Sequence, residues 1–247
     1  MICFSKAGYG DLLAQFTVRG YRFAQFRELK GRSDQSPKWC LLRHDVDASL
    51  EYALEMAQKE KTLDVRATYF VMLRSPLYNL FSRHSARILR ELIRLGHEVG
   101  LHFDAAGARG PERSLAQWVQ FELSTLEVLA GTPVSAFSLH QPTQNVIAER
   151  LEIPGIVNTY HTEHMKGFHY ISDSNRCWRD QDPIQQLEIN HGPIHLLLHP
   201  MWWMCESSDI HECWDSAIMR NFEGMQEQLL DTERAYGGKR TIILNRQ

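Results

Sequence analysis

Four short apolar runs in this chain each stop at a histidine, or at a histidine with aspartates, and that recurrence restricts the fold more than any other feature. Leu41-Leu42 leads into His44, Asp45 and Asp47; Val99 to Leu101 leads into His102 and Asp104; Phe137 to Leu139 leads into His140; Leu196 to Leu198 leads into His199. An apolar run that turns abruptly polar is the pattern of a buried parallel strand meeting its C-terminal loop. Between the runs lie segments of helical pattern: Ser49 to Lys61 with Leu50, Ala53, Leu54 and Ala57 on one face, Ser85 to Leu95 with Ile88, Leu89, Leu92 and Ile93, and Ser114 to Leu129. Strands alternating with helices predict parallel βαβ units. In a barrel of such units the C-terminal strand ends share one face, so residues far apart in sequence meet at one pocket.

The other segments fit the same plan less sharply. Leu12 to Phe26 reads as helical in part, with Gly20 expected to end the first helix. Lys30 to Lys38 is a polar loop, Ala67 to Met72 a strand, and Gly96 the expected C-cap of the helix before it. His97 to His102, Ser135 to Leu139 and Ile194 to Leu198 are strand candidates, with Ile153 to Asn158, Phe168 to Ser172 and Thr241 to Leu244 weaker ones. Ala217 to Ala235 reads as a long helix. No repeat, low-complexity stretch or linker divides the 247 residues, so one domain over 1–247 is expected.

Composition excludes some functions. A net charge of −3 offers no basic excess for nucleic acid. No apolar run reaches the roughly 18 residues of a membrane span, and the first residues lack the apolar core of a signal peptide. The five cysteines form no C-x-x-C pair, which fits reduced thiols and a cytoplasmic protein.

His and Asp are ligands that borderline divalent ions such as zinc prefer, and a catalytic site needs about three of them with one position open for water. Such an ion makes hydroxide available near neutral pH. A nearby carboxylate can take the proton of the water, and a histidine can protonate a leaving amine. Asp45, Asp47 and Ser49 also compete as N-cap of the helix that follows them. His97 reads as structural, His161, His164 and His169 as surface or substrate-side groups, and His191 and His195 as non-ligands.

Arg43-His44-Asp45-Val46-Asp47, Ala67-Thr68-Tyr69-Phe70-Val71 and Gly96-His97-Glu98-Val99-Gly100-Leu101-His102, in this order, resemble the polysaccharide deacetylase (NodB-homology) family. The likeness is to the RHDVD-type branch associated with bacterial surface-polysaccharide gene clusters, and it runs from about residue 38 to 200. The resemblance implies an α/β fold: a single distorted (β/α) barrel of about seven parallel strands. It implies a metal-dependent hydrolase that removes an N-acyl group, acetyl first, from an amino sugar or sugar conjugate, with a divalent ion, zinc first. Asp45 matches the general base, Asp47 and His102 match metal ligands, and His199 in Leu198-His199-Pro200 matches the acid that protonates the leaving group. The family's second histidine, four residues after His102, is replaced by Ala106. His140 is the favoured substitute and Asp104 the second; loss of metal binding is the third possibility. Asp173 and Trp178 resemble a motif that shapes the pocket, where Arg176 or Arg179 could orient a carboxylate. Trp202, with Trp203 beside it, and Tyr78 are further candidates to touch the sugar. Two other readings stay open: removal of formyl or another acyl group from a nucleotide-linked sugar, and a degenerate barrel that binds sugar or a partner without turnover.

Overall fold

The alternation of short apolar strands and amphipathic helices builds one parallel sheet with helices packed around it. A computed structural model describes residues 2–31, 38–108, 112–179 and 181–237. The strands are β1 (Arg22–Ala24), β2 (Trp39–Val46), β3 (Thr68–Val71), β4 (Glu98–Phe103), β5 (Ala136–Leu139), β6 (Val157–Asn158), β7 (His169–Ser172) and β8 (Ile194–Leu198). The helices are α1 (Lys6–Val18), α2 (Leu50–Thr62), α3 (Arg83–Arg94), α4 (Leu115–Ala130), α5 (Gln144–Ala148), α6 (Pro183–Ile189), α7 (Pro200–Met204), α8 (Ile210–Thr232) and α9 (Arg234–Gly237). Seven strands pair in the order β6-β5-β4-β3-β2-β8-β7, β1 adds to β2, and every pairing is parallel. No ladder joins the end strands β6 and β7 among the described residues, so the sheet is a curled half-barrel.

The curl follows from two apolar layers. Ala24, Phe26, Trp39, Leu41, Phe70, Ala136 and Val157 meet in one buried cluster on the concave side. These residues come from strands spread over most of the sheet, and only a curled sheet brings them together. The convex side packs Cys40, Leu42, Val46, Tyr69, Val71, Val99, Leu101, Phe103 and Phe137 against the helices. Because successive side chains of a strand point to opposite faces, β2 sends Trp39, Leu41, Arg43 and Asp45 inward and Cys40, Leu42, His44 and Val46 outward.

The sequence reading therefore needs one correction at His44. It faces the helix layer, where its Nε2 lies 2.6 Å from Glu60 Oε1. Glu60 also accepts hydrogen bonds from Tyr9 and Tyr69. Burial of an ionisable group needs partners of this kind. His97 likewise lies behind the sheet, between Ala67 N (3.3 Å) and Ala57 O (3.2 Å).

Caps locate the helices. Ser49 Oγ accepts from Tyr52 N and so wins the N-cap of α2 over Asp45 and Asp47. Ser114 and Gln117 form a capping box on α4. Gly20 and Gly96 follow the ends of α1 and α3 with φ of 81° and 100°, a region other residues enter only at a cost. Helix α1 starts at Lys6, earlier than expected, because Ser5 caps it; β1 and a 3₁₀ turn over Phe26–Gly31 replace the helix expected up to Phe26. Helix α8 begins at Ile210 behind Asp209. The expected strand at Thr241 to Leu244 lies outside the described residues, as does most of the polar loop before β2. Among the described residues no helix is long and apolar enough to cross a membrane.

Candidate metal centre and active site

Above the apolar floor of the half-barrel the inward residues become polar, and each strand contributes in its turn. Arg43 is fully buried between the rings of Phe70 and Tyr160, 5.5 and 5.3 Å from their centroids. Its Nε and Nη2 donate to the two carboxylate oxygens of Asp45 at 2.8 and 2.6 Å, and Nη1 donates to Thr159 Oγ1 at 3.0 Å. Burial works against the Asp45 carboxylate, but Arg43 outweighs it and holds the group below the usual carboxylate range. His195 lies lower in the same interior, against Phe26 and Tyr170. Burial, with Arg43 nearby, pushes its pKa down to about 3, so it is neutral.

At the mouth, β2, β4 and β5 bring Asp47, His102 and His140 together. Asp47 Oδ1 lies 3.0 Å from His102 Nε2 and 3.4 Å from His140 Nδ1. The two imidazole nitrogens are 3.1 Å apart. The three side chains form the one such group able to hold a metal among the described residues. Three ligand atoms about 2.0–2.1 Å from one tetrahedral ion stand about 3.3 Å from one another, which these separations match. Asp47 Oδ1 is buried and accepts no well-formed hydrogen bond among the described residues despite its close neighbours. An orphaned buried acceptor costs about 1–3 kcal/mol unless something satisfies it, and a cation at the common point of the three groups would. The other ring nitrogen of His102, Nδ1, lies 2.7 Å from Ser138 Oγ, which fixes the ring with Nε2 toward the mouth.

Burial opposes the charge of Asp47, but its contacts with His102 and His140 keep it well below the usual range. The same contact with Asp47 raises the pKa of His140. A metal would therefore displace a proton as it binds.

Strand β8 adds His199. Its Nδ1 lies 2.6 Å from Asp173 Oδ1, and its Nε2 points toward the mouth, 3.8 Å from Asp47 Oδ2. Asp173 is wholly buried at the end of β7 and also accepts from the His199 backbone N–H (3.0 Å) and from Trp203 Nε1 (2.8 Å). Burial disfavours the charged imidazole, but Asp173 overcomes it and lifts the His199 pKa to about 9.

A cavity of about 420 Å³ opens over this group, with Asp45, Asp47, His102, His140 and His199 in its wall. Trp202 and Trp214 also line it, with their rings edge to face. Tyr78 stands outside it, in a neighbouring groove, with its hydroxyl donating to Val46 O at 2.6 Å. Trp178 does not line it either; it stacks on Phe4 at 5.4 Å. Asp173 is sealed behind His199 rather than offered to a ligand. Asp104 turns back on its own loop and accepts from Ala106 N, so it is not among the convergent groups.

Arg43 and Ser138 were missed by the sequence reading. The period of two carried the signal: they precede Asp45 and His140 by two residues and so share their face.

No protein-family profile matches the chain, and no curated protein matches it significantly. Solved structures do match. One is a family 4 carbohydrate esterase from Bacillus anthracis, 16% identical with a TM-score of 0.44 over 86% of this chain and 85% of that one. Another is a CE4 family pseudoenzyme from the same organism, 17% identical with a TM-score of 0.40 over 76% and 62%. A third is a family 4 acetyl xylan esterase from Clostridium thermocellum in complex with a cobalt ion, 17% identical with a TM-score of 0.39 over 77% and 89%. The chain spans 62% to 64% of the length of the first structures it matches. At these scores the likeness assigns no residue a role, and the functional reading stands on the geometry of the site.

Proposed function

We propose that the chain is a metal-dependent hydrolase that removes an N-acyl group, acetyl first, from an amino sugar. The observation that carries this reading is the convergence of Asp47, His102 and His140 on one point, with Asp45 and His199 beside them. Asp47 Oδ1, His102 Nε2 and His140 Nδ1 would hold a divalent ion, zinc first. Such an ion supplies Lewis acidity, polarising an acyl carbonyl and lowering the pKa of water.

The protein groups do the rest. Asp45, kept ionised by Arg43, takes the proton of the attacking water as its oxygen bonds to the acyl carbon. His199, kept protonated by Asp173, gives its Nε2 proton to the amide nitrogen as the C–N bond breaks. The products are the free amino sugar and the carboxylic acid. Asp173 is a positioning residue in this scheme, and Trp202 and Trp214 offer apolar faces to a sugar ring. The resemblance of the Arg43 to Asp47 run to the surface-polysaccharide branch supports a sugar of that metabolism.

The test is release of acetate from N-acetylated amino sugars by the purified chain, first stripped with a chelator and then loaded with zinc or cobalt. Turnover should follow the metal, and Asp45→Asn should lower it about a hundred- to ten-thousand-fold while leaving the metal bound. A protein that holds metal stoichiometrically and releases acid from no acylated sugar would overturn the reading.

A further inference from the structure

One part of the cavity wall is built by the loop after β7, and it carries a cation with no work in the scheme above. Arg176 anchors that loop: its guanidinium donates to Ser207 O (2.6 Å), Phe4 O (3.4 Å), Asp209 O (3.4 Å) and Cys213 Sγ (2.8 Å). Asn175 and Arg176 both take positive φ, 57° and 55°. Left-handed backbone at two successive non-glycine residues costs of order 1–3 kcal/mol each, and such strain gathers where a site needs it. Held this way, the loop turns Asn175 and Arg179 into the cavity lining. Arg179 is exposed, forms no ion pair among the described residues, and lies 6.0 Å from the centroid of the Tyr170 ring. Asn175 makes no side-chain hydrogen bond among the described residues.

The charges of the cavity point the same way. Asp45 is matched by Arg43, and Asp173 by His199. Asp47 is the remaining carboxylate of the lining, and a divalent ion more than offsets it. With that ion in place the cavity is positive, and Arg179 adds to it at the rim. A positive, partly enclosed cavity draws an anionic ligand, and an arginine guanidinium binds phosphate or carboxylate oxygens through two parallel hydrogen bonds.

We infer that Arg179, with Asn175 beside it, is the specificity-determining subsite for an anionic group, phosphoryl or carboxylate, carried by the acylated sugar. This deepens the hydrolase reading and rests on it for the identity of the sugar. It makes a charged amino-sugar derivative, not a neutral glycan, the substrate class.

The test separates the two. Equilibrium binding to the metal-loaded protein is measured with deacylated probes that cannot turn over: glucosamine 1-phosphate, muramic acid and neutral methyl glucosaminide. At least one charged probe should bind about tenfold or more tightly than the neutral one, as a charge-assisted hydrogen bond gives. The gap should close in Arg179→Ala, return in part in Arg179→Lys, and narrow with salt, while neutral binding stays unchanged. Which charged probe gains identifies phosphoryl or carboxylate. No gap in the wild type, no binding of any probe, or a gap that survives Arg179→Ala as contact with the metal alone would, overturns the subsite. Acetate release from the N-acetylated counterparts is run in parallel. A gap that depends on Arg179 without any release defeats the hydrolase reading and keeps the subsite; release without a gap does the reverse.

Discussion

His140 carries most of the weight at the scale of single residues. The resemblance places a ligand at position 106, where this chain has alanine, and the imidazole of His140 stands 3.4 Å from Asp47 Oδ1. His140→Ala should weaken zinc binding on the order of a hundredfold or more, one share of sites that bind with about 10–16 kcal/mol. Asp104→Ala should leave it unchanged, and titration calorimetry distinguishes the two. His199 supplies a pH test. As an acid it acts only while protonated, so the rate should fall as pH rises through the pKa that Asp173 lifts. Asp173→Asn removes the charge that opposes burial, so this limb should move to lower pH; a limb that stays in place would contradict the pairing. Much of this site was legible in the sequence because histidines, some with aspartates, recur at the ends of four apolar runs. Arg43 was not, since a buried arginine looks like any surface arginine until its partner on the same strand face is known. Asp173 was noticed, but its hydrogen bonds to the His199 backbone and to Trp203 depend on contacts across 26 and 30 residues that no local pattern contains.

Among elements, β4 shows how tightly the half-barrel floor is packed. A Cβ at Gly100 would lie 2.6 Å from two atoms of the Phe70 ring. Overpacking of this kind costs about 1–3 kcal/mol, so Gly100→Ala should lower the denaturant midpoint and tilt the strand that carries His102. An unchanged midpoint would mean the Phe70 ring moves aside freely. Strand β8 was readable because both its faces are buried, and it matches its expected bounds, Ile194 to Leu198; β2 runs on to Val46, past the apolar Leu41-Leu42 where the polar loop was expected to begin, because Arg43, His44 and Asp45 find partners in the interior. Three of the short elements were not readable. Strand β1 has three residues and helices α5 and α7 five each, too few for a period to show. His44 exposes the limit of counting strand-end residues without applying alternation: one position along β2 turns a side chain from the mouth to the helix layer.

For the molecule as a whole, the curled sheet brings strand ends far apart in sequence to one mouth. If the mouth holds a cation, the native state binds it and the unfolded chain does not, so loading adds stability by mass action, about 2.7 kcal/mol at a hundredfold excess over Kd. Calorimetry should then give one cooperative transition over the proposed single domain 1–247, at a higher temperature with zinc than with chelator. Two transitions, of which zinc moves only one, would mean that the chain holds two folding units. The central claim is that Asp47, His102 and His140 share one ion. Anomalous scattering at the absorption edge of a soaked metal, from a crystal of the protein, tests it most directly. The account predicts one peak about 2.0–2.2 Å from an Asp47 oxygen, His102 Nε2 and His140 Nδ1; a mouth without a peak, or a peak held by other side chains, would contradict it.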